Sequence, residues 1–168
     1  RYAIYLIASD VVHWFSFLNL GLPASLRVEG SQLAGKYDPK RLNEVFNTAF
    51  FTQLVVSAVL FAVGITASPL FPKILRMDES LIDEGTLTVV LMLLSFCLSL
   101  AAGSFSAILF SFQKVHIDNI LALVLLMLQT GLIVVFLTQG AGLVSLPLAA
   151  IGATVLTTVL AVWRTFRL

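Results

Sequence analysis

Charged residues are scarce in this sequence, and their scarcity excludes a soluble domain. Only 11% of the 168 residues are Asp, Glu, Lys or Arg, whereas a soluble domain carries about 25%. Hydrophobic residues make up 59%, and the mean hydropathy is +1.01. A helix of a soluble protein has one apolar and one polar face, whereas a helix that spans a bilayer needs about 20 consecutive apolar residues. This chain has several long apolar runs with little polar alternation. We therefore predict an integral membrane protein.

Cysteine and basic patches are also nearly missing. The single cysteine, Cys97, lies in an apolar run and cannot form an intrachain disulfide, so we expect a small core residue. A net charge of +1 without a basic patch excludes a nucleic-acid-binding chain.

The common enzyme signatures are absent. The sequence has no GxGxxG, no Walker loop, no HExxH, no paired-cysteine metal site and no GxSxG elbow. The two histidines, His13 and His116, lie in different segments. We therefore expect no enzyme, no cofactor and no metal site.

The apolar runs predict an all-α transmembrane fold, one domain over residues 1–168 with about five spanning helices. The expected spans are residues 2–26, 45–70, 86–112, 120–137 and 146–162.

Short sequence signals mark where these helices bend, begin or end. Gly21 and Pro23 should bend or break the first span. A polar loop is expected over residues 27–44, within which Asp38 and Pro39 form the start signal of the next helix. The third span has a small residue at every fourth position, which suits close helix packing. These residues are Ser95, Ser99, Gly103 and Ala107. The link QGAGLVS after the fourth span contains glycines, which suit a tight turn.

The Lys and Arg residues predict the topology. Seven of the ten lie in connections on one side, which should be cytoplasmic. The chain would then start outside and end inside. It begins with Arg1 and has no signal peptide, so we expect a segment of a longer protein.

Four polar residues at membrane depth are candidates for lining a substrate path. Asp10 and His13 are three residues apart and share one helix face. An ionised carboxylate in lipid costs roughly 2.5 to 3.5 kcal/mol, so Asp10 should face a cavity or a partner. It could line the path or serve proton or cation coupling, or simply pair with His13. Asn19 and Gln53 could line the same path or hydrogen-bond between adjacent spans.

A basic cluster is expected at the cytoplasmic face. Lys36, Lys40 and Arg41 could dock phosphate groups or anionic lipid headgroups, or could serve topology alone.

Residues 11–50 resemble the polysaccharide biosynthesis or O-antigen flippase family. In that family, a span ending in an aromatic-Phe-Ser string and Leu-Gly-Leu precedes a basic cytoplasmic loop. The matching residues are Trp14, Phe15, Ser16, Leu18, Leu20, Gly21 and Leu22 in the string, and Gly35, Lys36, Tyr37, Asp38, Arg41, Leu42 and Asn43 in the loop. Two residues depart from the pattern, since Asn19 replaces a common Asp and Pro23 a common Gly.

The resemblance implies a fold, a function and a location. Such flippases have about 12 to 14 helices in two bundles, similar to multidrug exporters, and this chain would form most of one bundle. They move undecaprenyl-pyrophosphate-linked oligosaccharide across the bacterial or archaeal cytoplasmic membrane. The implied partners are that lipid-linked substrate, membrane lipids, a polysaccharide polymerase and other assembly proteins.

Three alternatives remain at the sequence level. The first is a multidrug or metabolite cation-coupled antiporter of the same fold. The second is a membrane-embedded enzyme of lipid-linked sugar metabolism, for which the only acidic cluster, residues 78–84, lies on the predicted outer face. The third is a structural membrane subunit.

Overall fold

The computed structural model describes residues 21–36, 38–71, 82–140 and 142–165, and within them it is all-helical. Five α-helices are present in this part of the chain, with a single 3-10 turn at Gly142–Val144 before the last. They are α1 Leu22–Gly35, α2 Pro39–Ala67, α3 Ile82–Ser111, α4 Val115–Thr138 and α5 Ser145–Thr165. Most of the expected first span, residues 2–20, lies outside the described residues.

Four of the five helices can cross a membrane by length and composition. They are α2, α3, α4 and, within α5, Ser145–Arg164. Helix α1 has 14 residues and is about 21 Å long at 1.5 Å per residue, less than a hydrocarbon core of about 30 Å. The described residues thus form a multi-pass helical membrane protein, as the sequence predicts.

The polar loop expected from residue 27 is wrong as far as residue 35, because α1 continues through it. Leu26, Gly30 and Leu33 are buried, and their spacing places them on one face of a helix. That face packs against α2 and α3. The charged residues of the segment lie off this stripe, which is why its composition resembles that of a loop.

The structure shows a helix start at each of the two signals around this segment, and the start predicted from Asp38 and Pro39 is confirmed. Gly21 adopts a left-handed backbone with φ 66° at the N-cap of α1, and Pro23 lies in the first turn. That these residues break the expected first span stays a prediction, since residues 2–20 lie outside the described part of the chain. Helix α2 begins at Pro39, and the Asp38 carboxylate accepts a hydrogen bond from the Arg41 backbone N–H at 3.1 Å.

Helix α3 is the centre of the described bundle. It packs against α1, α2 and α5, whereas its contact with the next helix in sequence, α4, is slight. Helix α5 lies between α3 and α4 and packs extensively on both. No residue of α4 is buried, so this helix is peripheral and presents apolar side chains outward, as expected of a lipid-facing helix.

Glycines permit the closest helix contacts. A Cβ at Gly30 would overlap Ser111 Oγ, and it would lie 3.0 Å from Ser111 Cβ. A Cβ at Gly64 would lie 2.5 Å from Leu93 Cδ1. The face of small residues that was expected on α3 packs against other helices along only part of its length. Ala107 on this face is fully buried, whereas Ser99 is exposed.

The α4–α5 link is a tight turn, as predicted from its glycines. Gly140 and Gly142 have φ values of 81° and 59°, a region that favours glycine because it has no Cβ. The Ser145 hydroxyl donates a hydrogen bond to the Gly142 carbonyl at 2.7 Å.

Candidate functional site

The structure describes four of the seven candidate residues. Asp10, His13 and Asn19 lie outside the described residues, so their proposed roles stay predictions. Gln53 lies on α2, and the basic cluster lies around the junction of α1 and α2.

Gln53 is buried between α2 and α3 rather than exposed in a cavity. Its side chain is 2% exposed, and its Oε1 accepts a hydrogen bond from Ser104 Oγ at 3.1 Å. Such a bond between helices in lipid contributes about 0.6 kcal/mol on average. In this conformation Gln53 joins two spans, which is the second of the two roles that the sequence allows. Ser104 carries no signal in the sequence that would single it out.

A second polar contact joins the same two helices one turn further along. Ser57 Oγ donates to the Cys97 carbonyl at 3.4 Å, and Cys97 Sγ donates to the Ser57 carbonyl at 3.3 Å. Cys97 is therefore a buried packing residue, as expected from its sequence context. Together with Gln53 and Ser104, this pair fixes the register of α2 against α3.

The three basic candidates are exposed on the surface at the break between α1 and α2. Lys36 caps the end of α1, while Lys40 and Arg41 lie in the first turn of α2. A cavity of about 490 Å³ opens beside them, between the α1–α2 junction and the end of α3. Among its described lining residues the charged one is Asp38, which already caps α2. The cations therefore face solvent or headgroups rather than a formed pocket.

An apolar cavity forms a groove between α2, α3 and α5. It has a volume of about 560 Å³ and is open to the surface. Phe50 and Phe105 meet edge to face with ring centroids 5.5 Å apart, and Phe46 joins the same cluster at 5.4 Å from Phe105. Trp163 also lines the groove, with the Arg164 guanidinium 5.3 Å from the centre of its ring. We call this cavity the aromatic groove.

The aromatic groove has two polar side chains in its lining, Thr154 and Thr158 of α5. The Thr158 hydroxyl donates to the Thr154 carbonyl at 2.7 Å, so its oxygen retains acceptor capacity toward the groove. Sequence reasoning missed this groove, because its lining comes from three helices whose mutual rotation the sequence does not give.

A smaller groove lies between α3, α4 and α5 and shares Thr154 and Thr158 with the aromatic groove. It has a volume of about 260 Å³, and we call it the hydroxyl groove. Its polar lining residues are Ser99, Ser106, Asp118, Thr154, Thr157 and Thr158. Asp118 lies in the first turn of α4, where a carboxylate also interacts favourably with the helix dipole.

Metal ligands do not cluster in the part of the chain that the structure covers. Its described His, Cys, Asp and Glu side chains form no group of three or more that could hold a metal ion.

The helices and grooves together define a class, a multi-pass helical membrane protein with cavities between its spans. The MatE family model matches residues 2–135, most of the chain, and the protein belongs to the MatE family. No curated protein and no solved structure matches the chain.

Membership of this family places the chain in the superfamily of multidrug, oligosaccharidyl-lipid and polysaccharide exporters, whereas the polysaccharide flippase branch that residues 11–50 resemble is not shown. The protein is accordingly a membrane transporter and not an enzyme. The MatE match favours drug or cation antiport over oligosaccharide flipping, which was the main functional prediction from the sequence.

Proposed function

We propose that this protein exports an amphiphilic organic solute by alternating access, driven by exchange for a proton or a sodium ion. Membership of the MatE family supports a secondary transporter of this kind. The aromatic groove carries the proposal, since an apolar cavity between membrane spans suits a substrate that is itself partly apolar.

The chemistry of the groove favours a lipophilic cation. The faces of aromatic rings attract cations, and the interaction energy is about 2 kcal/mol or more when the contact is desolvated. Phe50, Phe105 and Trp163 supply such rings, and the Thr158 hydroxyl supplies a hydrogen-bond acceptor. Because these groups lie on three different helices, their relative movement during alternating access would change the affinity for the substrate.

Cation coupling requires a carboxylate that can be protonated or can bind sodium. Asp10 is our proposed coupling residue, because it is the acidic residue expected deepest in a span. Asp118 is a second candidate, because it lines the hydroxyl groove next to oxygens of serine and threonine.

The test is transport of a fluorescent lipophilic cation, such as ethidium, into everted vesicles from cells that express the complete gene encoding this chain. We expect Phe105→Ala to raise the KM for the dye about tenfold, which corresponds to the loss of roughly 1.4 kcal/mol. Phe112→Ala is the matched control, because Phe112 lies just beyond the same helix and outside the groove. Equal transport by the two variants would remove the groove from the substrate path.

Asp10→Asn and Asp118→Asn identify the coupling residue in the same vesicles. The variant that abolishes dependence on an imposed proton or sodium gradient, while leaving dye binding intact, marks the coupling carboxylate. Unchanged gradient dependence in both would argue against cation exchange through either residue.

The second candidate is a flippase for lipid-linked oligosaccharide. Its specific support is the resemblance of residues 11–50, together with the exposed cations Lys36, Lys40 and Arg41 near one end of the bundle. These cations could attract the diphosphate, and Asp10, His13 and Asn19 could contribute to a polar lining for the sugars.

Complementation of a strain that lacks its polysaccharide flippase separates the two candidates. Restored surface polysaccharide without dye export would establish the flippase, whereas dye export without polysaccharide would establish the antiporter. Within a complementing strain, unchanged export by Asp10→Ala and His13→Ala would exclude them from the substrate path.

A further inference from the structure

Arg27 packs its guanidinium against a membrane-spanning helix other than its own. It lies on α1, and its side chain is partly buried against α3. The guanidinium carbon lies 5.2 Å from the centre of the Phe110 ring. One Nη donates a long hydrogen bond of 3.4 Å to Ser106 Oγ.

The positive charge of Arg27 is poorly compensated. Its Nε atom is buried and has no acceptor among the described residues. No described carboxylate forms an ion pair with it, and its remaining contacts are one hydroxyl and one aromatic ring. A half-buried cation that has lost part of its hydration and gained no anion is costly, so the site favours an anionic ligand.

The position of Arg27 along the bundle matches the depth of lipid headgroups. Its partner Ser106 lies five residues before the end of α3, which is about 8 Å along the helix axis. The end of α3 is on the side that carries most of the Lys and Arg residues, the predicted cytoplasmic face. Arg27 is thus expected at the boundary between headgroups and hydrocarbon.

Part of the surface around Arg27 is apolar, although Glu29, two residues further along α1, is exposed as well. Val28, the next residue of α1, is 63% exposed, and Phe110 is 38% exposed. A lipid chain could cover both side chains while its headgroup approached the cation. A free phosphate ion would leave this apolar surface uncovered.

We propose that Arg27 binds the phosphate of a membrane lipid in the cytoplasmic leaflet. The guanidinium group matches phosphate because its N–H groups form a planar fork that donates two parallel hydrogen bonds. The exposed cluster of Lys36, Lys40 and Arg41 attracts the anionic surface in general, whereas Arg27 holds one headgroup. This site does not depend on which solute the transporter carries.

Binding of short-chain lipids to the purified, delipidated protein in a neutral detergent tests the site. The complete gene supplies the protein, and native mass spectrometry measures the bound lipid. The probes are dioctanoyl phosphatidic acid, dioctanoylglycerol, which lacks the phosphate, and inorganic phosphate. We expect phosphatidic acid to bind and the other two to bind far more weakly.

Arg27→Gln should weaken binding of phosphatidic acid about tenfold, as for the loss of one charge-assisted contact. Arg41→Gln removes the same charge from an exposed position and should change the affinity less than about twofold. Arg27→Lys keeps the charge without the fork and should give an intermediate affinity. It also keeps the test interpretable if Arg27→Gln does not fold.

Three outcomes would overturn the proposal. Equal losses in Arg27→Gln and Arg41→Gln would mean diffuse attraction rather than a site. Arg27-dependent binding of inorganic phosphate as tight as that of the lipid would make the ligand a soluble anion. Unchanged binding in Arg27→Gln and Arg27→Lys, with both variants folded, would exclude Arg27 altogether.

Discussion

Glycine lies at points of this bundle where two helices are in close contact. Adding the single methyl group of alanine at such a point would make the helices overlap. At Gly30 the nearest atoms of α3 are Ser111 Oγ and Cβ. The Cβ is fixed by the backbone, and the Oγ can turn away only by giving up its 2.9 Å hydrogen bond to the Ala107 carbonyl. Overpacking at such a contact typically costs about 1 to 3 kcal/mol.

We therefore expect Gly30→Ala to lower the melting temperature of the protein in detergent. Gly35→Ala is the matched control, because Gly35 belongs to the same helix and a Cβ there meets nothing within 4 Å. Its effect should be neutral or slightly stabilising, since alanine favours the helix over glycine. A melting temperature of Gly30→Ala equal to that of Gly35→Ala would show that α1 does not pack this closely on α3.

The part that Gln53 plays depends on a partner that the sequence does not supply. The sequence offered Gln53 either for a substrate path or for a hydrogen bond between spans, and in the structure it is buried and bonded to Ser104. The sequence named Asn19 as a partner, and Asn19 lies outside the described residues. The bond to Ser104 depends on how α2 and α3 are rotated about their axes, and a single sequence does not determine that rotation.

At the scale of the helix, start signals proved local and therefore predictable. The Asp38 carboxylate and the Pro39 ring act on the backbone of the next three residues, so the start of α2 follows from the sequence alone. Helix α1 was missed because it is short and polar in composition. Its three buried residues form a stripe only because α2 and α3 provide a surface to cover it.

Removing the cap of α2 should loosen its first turn. Asp38→Ala deletes the acceptor for the Arg41 N–H and should cost about 1 kcal/mol. Hydrogen exchange of the backbone over residues 39–44 should become faster, while the middle of α2 stays protected. Asp38→Asn retains a side-chain oxygen and should exchange like the parent protein. Equally fast exchange in both variants would mean that the negative charge of Asp38, rather than its acceptor oxygen, stabilises this end.

For the molecule as a whole, the two ends of the bundle differ in charge. In the described residues, Lys36, Lys40, Arg41, Lys114 and Arg164 lie at one end. At the other end, the start of α3 carries Asp83 and Glu84, and a Cβ at Gly142 would lie 2.5 Å from Glu84 Oε1. This asymmetry supports the predicted orientation, with the basic end in the cytoplasm.

Labelling with a membrane-impermeant maleimide tests that orientation. Lys40→Cys and His116→Cys should react only in inverted or broken membranes, because both lie at the basic end. Gln139→Cys, at the opposite end of α4, should react in intact cells. The parent protein is the control, since Cys97 is buried and should stay unlabelled. The reverse pattern would invert the topology, and labelling of His116 and Gln139 from the same side would contradict the path of α4.

The position of α5 between α3 and α4 has a consequence for synthesis. A chain enters the membrane from its N-terminus, so α3 and α4 are both made before the helix that joins them exists. Until α5 is inserted, α4 has little to hold it beside α3 except the three-residue turn that connects them. Helix α4 is the most hydrophobic of the described spans, so lipid alone can stabilise it during this interval. The aromatic and hydroxyl grooves, both lined by α5, therefore come into being at the same late step of assembly.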